Sequence, residues 1–297
     1  MNEPLQAVRP GEPIGLLAGW GELPLRVAVA LRRQGARVFC LGIKDHVQPE
    51  LLAEHCEDYR EVGVAKFGAA IRYFNRHGVR RATMAGKIHK VAMFRRFALL
   101  RHLPDWTCLK AFYPFIITRS RDRQDDTLLL AVVKVYADHG IDFVPATDFA
   151  PELLVNLGTL TRQRPNPVNI RDIQFGWRLA KEIGRLDVGQ TVAVKNQAVL
   201  AVEAIEGTDE CIRRAGELCK QGGFTVVKVA KPQQDMRFDV PTIGMQTLQT
   251  LQQAGGKVLA VEAHRTIVLD DDATVEFANR HGIIITAIEN GAESEAA

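Results

Sequence analysis

The chain has 297 residues, 46% of them hydrophobic, with a net charge of +3; this length predicts two domains, and the composition suffices for ordinary cores. Without a long Lys/Arg stripe, the mild charge gives no case for a nucleic-acid partner. No apolar run reaches transmembrane length, no signal-peptide core opens the chain, and the five cysteines show no C-x-x-C spacing, so free thiols and a cytosolic or peripheral location are expected.

Short apolar runs alternate with helical patterns, which predicts an α/β protein. The expected plan is an N-terminal Rossmann-like parallel sheet over residues 13–146, a hinge at 147–150, a second, mixed α/β domain over 151–289, and a ligand cleft between the two. A strand is predicted at 14–18, a helix at 23–34 stopping at Gly35, and a strand at 37–42. A helix at 67–77 leads to a strand at 81–85, and a helix at 128–139 to a strand at 141–144. The pairs His77-Gly78, His139-Gly140 and His281-Gly282 each stand between a helical and an apolar run. Glycine suits the left-handed position past a helix end and histidine the negative helix terminus, so these histidines read as caps. Prolines at 145 and 151 mark the hinge, and Pro165 and Pro167 precede a helix at 170–183.

Two strands, 191–195 and 199–204, flank Asn196-Gln197 and read as a hairpin. The hexapeptide Val-Leu-Ala-Val-Glu-Ala stands at 199–204 and again at 258–263. Each copy carries a glutamate near its carboxyl end, Glu203 and Glu262, which suggests either a pseudo-repeat or two similar buried strands. The apolar run 224–229 reads as a buried strand, Thr242 as the cap of a helix running toward Gly255, and the small, acidic tail after Asn290 as disordered.

Chemistry concentrates between that strand and that helix. Lys228, Lys231 and Arg237 suit phosphate oxygens. Asp235 and Asp239 suit a hard divalent cation bridging the same oxygens, and local ion pairing is the plainer role for all five. Gly19-Trp20-Gly21-Glu22-Leu23-Pro24 follows the first strand; two glycines admit a ligand to the backbone, and the helix start favours an anion. Pro24 stands where a dinucleotide fingerprint has its third glycine, which favours a nucleotide over NAD. Gly86 and Lys87 end another strand, and Asp125 or Asp126 can cap the next helix. Glu206-Gly207-Thr208-Asp209 opens a further helix, whose first amides can hold phosphate. Residues 91–103 interleave large apolar groups with arginines, as in a segment lying on an anionic membrane, covering an acyl chain or packing on a domain.

These segments together, with Glu182 to Gln190, resemble the UDP-2,3-diacylglucosamine pyrophosphatases of the LpxI type over residues 13–288. The runs Glu203 to Asp209 and Asp239 to Gly244 carry most of the likeness, and Trp20 departs from a glycine common among relatives. The resemblance implies hydrolysis of the pyrophosphate of an acylated UDP-sugar, UDP-2,3-diacylglucosamine, to UMP and 2,3-diacylglucosamine 1-phosphate in lipid A synthesis. It also implies a magnesium ion, a homodimer and an essential aspartate, here Asp239. Under that expectation Asp239, Asp235, Glu203 and Glu262 are the metal candidates. Lys228, Lys231 and Arg237 serve charge neutralisation beside Asp239, and Gly19, Trp20, Gly21, Gly86, Lys87, Gly207, Thr208, Asp209 and Thr242 bind substrate. A nucleotide-sugar oxidoreductase and a non-catalytic carrier of an acylated sugar nucleotide are the rival readings.

Overall fold

A computed structural model describes residues 8–87, 103–117, 125–237, 240–269 and 271–290, with the side chains of 114–117, 125–128 and 271 outside the description. Asp239, the segment 91–102 and the tail from 291 therefore lie outside the described residues, as do the side chains of Asp125 and Asp126. The chain forms two compact units. The first takes in the described residues up to Pro151 and also Asp235, Met236 and Arg237; the second takes in 152–234 and the chain from Val240 onward.

The first unit is a five-stranded parallel sheet in the order β3-β2-β1-β4-β5. Its strands are β1 (Pro13–Ala18), β2 (Arg37–Ile43), β3 (Asp58–Val62), β4 (Arg81–Ala85) and β5 (Asp142–Phe143). Runs such as Val38 to Ile43 are buried throughout, as a parallel sheet covered on both faces requires. Strand order reverses between β1 and β4, the switch point at which open α/β sheets bind ligands. The helices are α1 (Leu23–Arg33), α2 (Pro49–Ala53), α3 (Phe67–Arg76), α4 (Trp106–Ile117), α5 (Asp125–Ala137) and α6 (Ala146–Phe149). Phe39, Phe74, Tyr136 and Ile141 form the centre of one core cluster. Gly78 and Gly140 have φ of +70° and +76°, and the His139 ring bonds the Val135 carbonyl at 2.7 Å, so both His-Gly pairs end helices as predicted. The residues read as a hinge fall within α6 and just after it; Phe149 is buried beneath the Arg81 guanidinium, 5.5 Å away.

The second unit is a six-stranded sheet ordered β6-β13-β11-β9-β7-β8. Its centre is parallel: β9 (Thr225–Lys228), β11 (Val258–Glu262) and β13 (Ile284–Ile288). The hairpin β7 (Thr191–Lys195) and β8 (Ala198–Val202) extends one side antiparallel to β9, and β6 (Gly158–Thr159) closes the other. Asn196 and Gln197 adopt left-handed φ of 50° and 59°, the pair a tight hairpin turn needs. Their amides donate to the Asp172 carboxylate at 3.0 and 2.6 Å, which fixes the turn.

Asp172 lies on α7 (Pro167–Arg185), a helix started by a reciprocal capping box between Asn166 and Asn169. Ile173, Trp177 and Ala180 of α7 pack on Val192, Val227 and Val258 of the sheet. The helices α8 (Thr208–Leu218), α9 (Met245–Gln253) and α10 (Asp271–His281) contribute Ile212, Leu248 and Ala278 to a second cluster with Phe224, Leu259 and Ile285. The short strands β10 (Thr242–Ile243) and β12 (Ile267–Val268) pair in parallel, so Thr242 lies in a strand just ahead of α9 and Gly244 takes the helix-cap position. The two hexapeptide copies fall on β8, a sheet-edge strand of the hairpin, and β11, a buried central strand.

Candidate active site

The parallel strands of the second unit set their carboxyl ends along one edge. Lys228 is the last residue of β9 and Glu262 the last of β11; Glu203 follows β8 directly. Thr191 starts antiparallel β7 opposite Lys228, so it meets the same edge. Lys228, Glu203 and Glu262 are each only 7% exposed, and charges so buried require partners.

Those partners form two wired groups. In the first, the Thr208 hydroxyl accepts from Lys228 Nζ at 3.1 Å and donates to Glu203 Oε1 at 3.0 Å. Lys228 also donates to the Thr242 carbonyl at 3.1 Å, Glu203 Oε2 accepts the Gln190 amide at 3.3 Å, and the Thr191 hydroxyl stands 3.3 Å from that of Thr208. Thr208 begins α8 after Gly207, whose φ of +86° turns the chain into the helix with open space on its side-chain side. The orphan amides and positive dipole end of α8 thus begin beside the hydroxyl, with Asp209 in the same turn.

In the second group, Glu262 Oε2 accepts from Lys181 Nζ at 2.6 Å and from the Ala230 amide at 2.7 Å, and Lys181 also donates to the Ala230 carbonyl at 3.0 Å. Lys231 donates to Asp187 Oδ1 at 2.5 Å, and its amide is held by the buried Gln234 side chain at 2.8 Å. The segment from Asp187 to Gln190 therefore runs from the Lys231 ion pair to Glu203.

Asp235 and Arg237 pair with each other through a forked guanidinium–carboxylate contact with oxygens at 2.9 and 3.0 Å from Nε. Burial alone pushes the Asp235 carboxyl up, but the side-chain and backbone hydrogen bonds of Arg237 outweigh it and hold the carboxyl below its ordinary range. Among the described residues no three His, Cys, Asp or Glu side chains form a metal cage. Asp235 is committed to Arg237 and Glu262 to Lys181, whereas among the described residues no lysine or arginine pairs with Glu203.

The first unit holds the other predicted residues. The loop after β1 and the loop after β4 lie against each other: the Trp20 and Lys87 backbones exchange hydrogen bonds at 2.8 and 2.9 Å, and the Gly19 amide donates to Ala85 at 2.7 Å. A Cβ on Gly19 would stand 2.8 Å from the Lys87 carbonyl, and one on Gly86 2.7 Å from the Gly19 backbone. These two glycines serve the approach of the loops to each other. Gly21 instead faces open space, and a cavity of about 280 Å³ beside it is lined by Trp20, Glu22, Leu25, His46, Gln48 and Leu51.

The second unit thus brings together Lys228, Glu203, Thr208, Asp209, Gly207 and Thr242, with Glu262 and Lys231 in neighbouring ion pairs, while Gly19, Trp20, Gly21, Gly86 and Lys87 gather at the switch point of the first. Lys181, Asp187, Gln190 and Thr191 went unnoticed in the sequence; Gln190 and Asp187 lie in the Glu182 to Gln190 run that carried part of the resemblance. Burial of a glutamate at a strand end is the only prior signal that a lysine such as Lys181 must exist somewhere.

Two α/β units, the second with buried, hydrogen-bonded charges at the carboxyl ends of its parallel strands, define a protein that handles a charged small molecule. The LpxI N-terminal domain profile matches residues 13–153, and the LpxI C-terminal domain profile matches 156–286. The chain is 30% identical over 283 residues to the UDP-2,3-diacylglucosamine pyrophosphatase LpxI of Caulobacter vibrioides, covering 93% of this chain and 97% of that protein. The chain belongs to the LpxI family.

Proposed function

We propose that this protein hydrolyses the pyrophosphate of UDP-2,3-diacylglucosamine to UMP and 2,3-diacylglucosamine 1-phosphate, a step of lipid A synthesis, on the cytoplasmic side of the inner membrane. The carrying observation is the buried Lys228–Thr208–Glu203 chain at a strand edge, in a family member matched over nearly its full length to a pyrophosphatase. In the reaction a water oxygen bonds to phosphorus, the bridging phosphorus–oxygen bond breaks, and the water proton passes to a base.

Asp239 is assigned as that base or as a metal ligand, with Glu203 the second carboxylate. Magnesium takes one or two carboxylates and completes its shell with water and phosphate oxygens, and Glu203 suits that need because no described cation neutralises it. An ion held by Asp239 and Glu203 would supply polarisation of the pyrophosphate. The protein supplies the rest: Lys228 and Lys231 meet charge growing on the phosphoryl oxygens, and Thr208 with the start of α8 receives phosphate. Asp187 and Lys181 hold Lys231 and Glu262 in place.

The experiment is product analysis by mass spectrometry after incubation with substrate, with magnesium or with EDTA. UMP and the sugar 1-phosphate should form with magnesium and stop under chelation. Asp239→Ala should stop turnover while melting like the wild type; near-normal turnover in that variant would remove Asp239 from the mechanism.

A further inference from the structure

The helix α4 presents two unlike faces. Its inner face is fixed: Cys108 is buried, the Phe112 ring lies 5.9 Å from that of Phe67, and Asp105 caps the first turn through the Cys108 amide while holding the Ala69 amide of α3. Its outer face exposes Trp106 by 79%, Tyr113 by 62% and Leu109 by 43%, together with exposed Lys110. At 100° per residue these four positions fall within one stripe. Tryptophan, tyrosine and a snorkelling lysine around an aliphatic residue are the side chains that settle at a membrane–water boundary.

Charge names the partner. Between Glu61 and Asp122 the sequence holds one acid, Asp105, against a scatter of cations that includes Lys87, Lys90, Arg95, Arg96 and Arg101. Both oxygens of Asp105 already accept backbone amides. The cations are too dispersed to read as a stripe; the near absence of acids gives this stretch of sequence a net positive charge. A stretch of that charge is attracted to anionic lipid headgroups.

We propose that the α4 stripe of Trp106, Leu109, Lys110 and Tyr113 docks on an anionic lipid surface. This deepens the location proposed above, naming the surface that would meet the membrane from which an acylated substrate is drawn.

The test is flotation of the full-length protein with vesicles of phosphatidylcholine alone or mixed with phosphatidylglycerol. The protein should float with anionic vesicles, less with neutral ones, and less again as salt rises. The combined variant W106S/L109S/Y113S should lower that partitioning about tenfold or more, with an unchanged melting curve because all three side chains point outward. Equal flotation of variant and wild type overturns the proposal. So does a variant that turns a dimer into a monomer in sedimentation without changing flotation, since the stripe would then join two copies. Hydrolysis of detergent-dispersed substrate is measured in parallel: no turnover by the wild type defeats the proposed reaction and leaves the flotation result standing, whereas turnover without flotation defeats the docking surface alone.

Discussion

Replacing Thr208 by valine tests the wiring of the site most directly. Valine has nearly the shape of threonine, so no cavity opens, and Gly207 rather than Thr208 occupies the helix-cap position, so no cap is lost. What goes is one hydroxyl that joins Lys228 Nζ at 3.1 Å and Glu203 Oε1 at 3.0 Å, both groups only 7% exposed. Hydrogen bonds to charged groups contribute about 1.5–3 kcal/mol each, which bounds the loss near 3–6 kcal/mol. Lys228 keeps the Thr242 carbonyl and Glu203 keeps the Gln190 amide, so the expected loss falls to about 2–3 kcal/mol. Urea unfolding of wild type, Thr208→Val and Thr208→Ser, beside initial rates, reads it out. Serine should recover most of the stability and activity because it restores the hydroxyl. A valine variant as stable as the wild type to within about 0.5 kcal/mol would refute the idea that this hydroxyl reconciles two buried charges.

Other consequences follow from the same contacts. Glu262→Gln removes the charge facing Lys181, which is largely buried, and should cost about 2–3 kcal/mol; a double-mutant cycle with Lys181→Met should give a coupling above about 1 kcal/mol, and additive effects would dismiss the pair. Gly86→Ala places a Cβ 2.7 Å from the Gly19 backbone at a φ of +91°, and should cost about 2–4 kcal/mol from strain and clash; a neutral thermal melt would show that the loops move apart freely. The Asp235 carboxyl titrates below its unfolded value, so its contribution is full above about pH 4 and is lost as pH falls through the lowered folded value. Wild-type stability should therefore drop more steeply than that of Asp235→Asn on acidification below about pH 4, and parallel curves would dismiss the Arg237 contact as a source of stability.

Much of the first sheet was legible because β1, β2 and β4 are apolar runs beside helix signals. β3 was missed because Asp58-Tyr59-Arg60-Glu61 lies at the sheet edge with Arg60 and Glu61 exposed, and edge strands need little apolar content. The short α2 and the two-residue strands β6, β10 and β12 were missed because no periodicity develops over so few residues. At the site, the lysines, glutamates and the Gly-Thr-Asp turn were readable as chemical types at strand ends. Their pairing was not: Lys181 meets Glu262 across 81 positions, and Lys231 meets Asp187 across 44. Long-range ion pairs come from strand order, which no local pattern encodes.

The twin hexapeptide makes the same point within a single molecule. In β8 its first valine, Val199, is 43% exposed at the sheet edge; in β11 the equivalent Val258 is fully enclosed. Six identical letters therefore stand in two different environments. A lysine at 199 meets water, and one at 258 meets a dry core, so substitution tolerance at the two copies should diverge although any short-window comparison scores them as equal. The glutamate at each copy's end is the shared element, because both strands deliver it to the same rim. Fold neighbours govern the apolar letters, and the rim governs the acidic one.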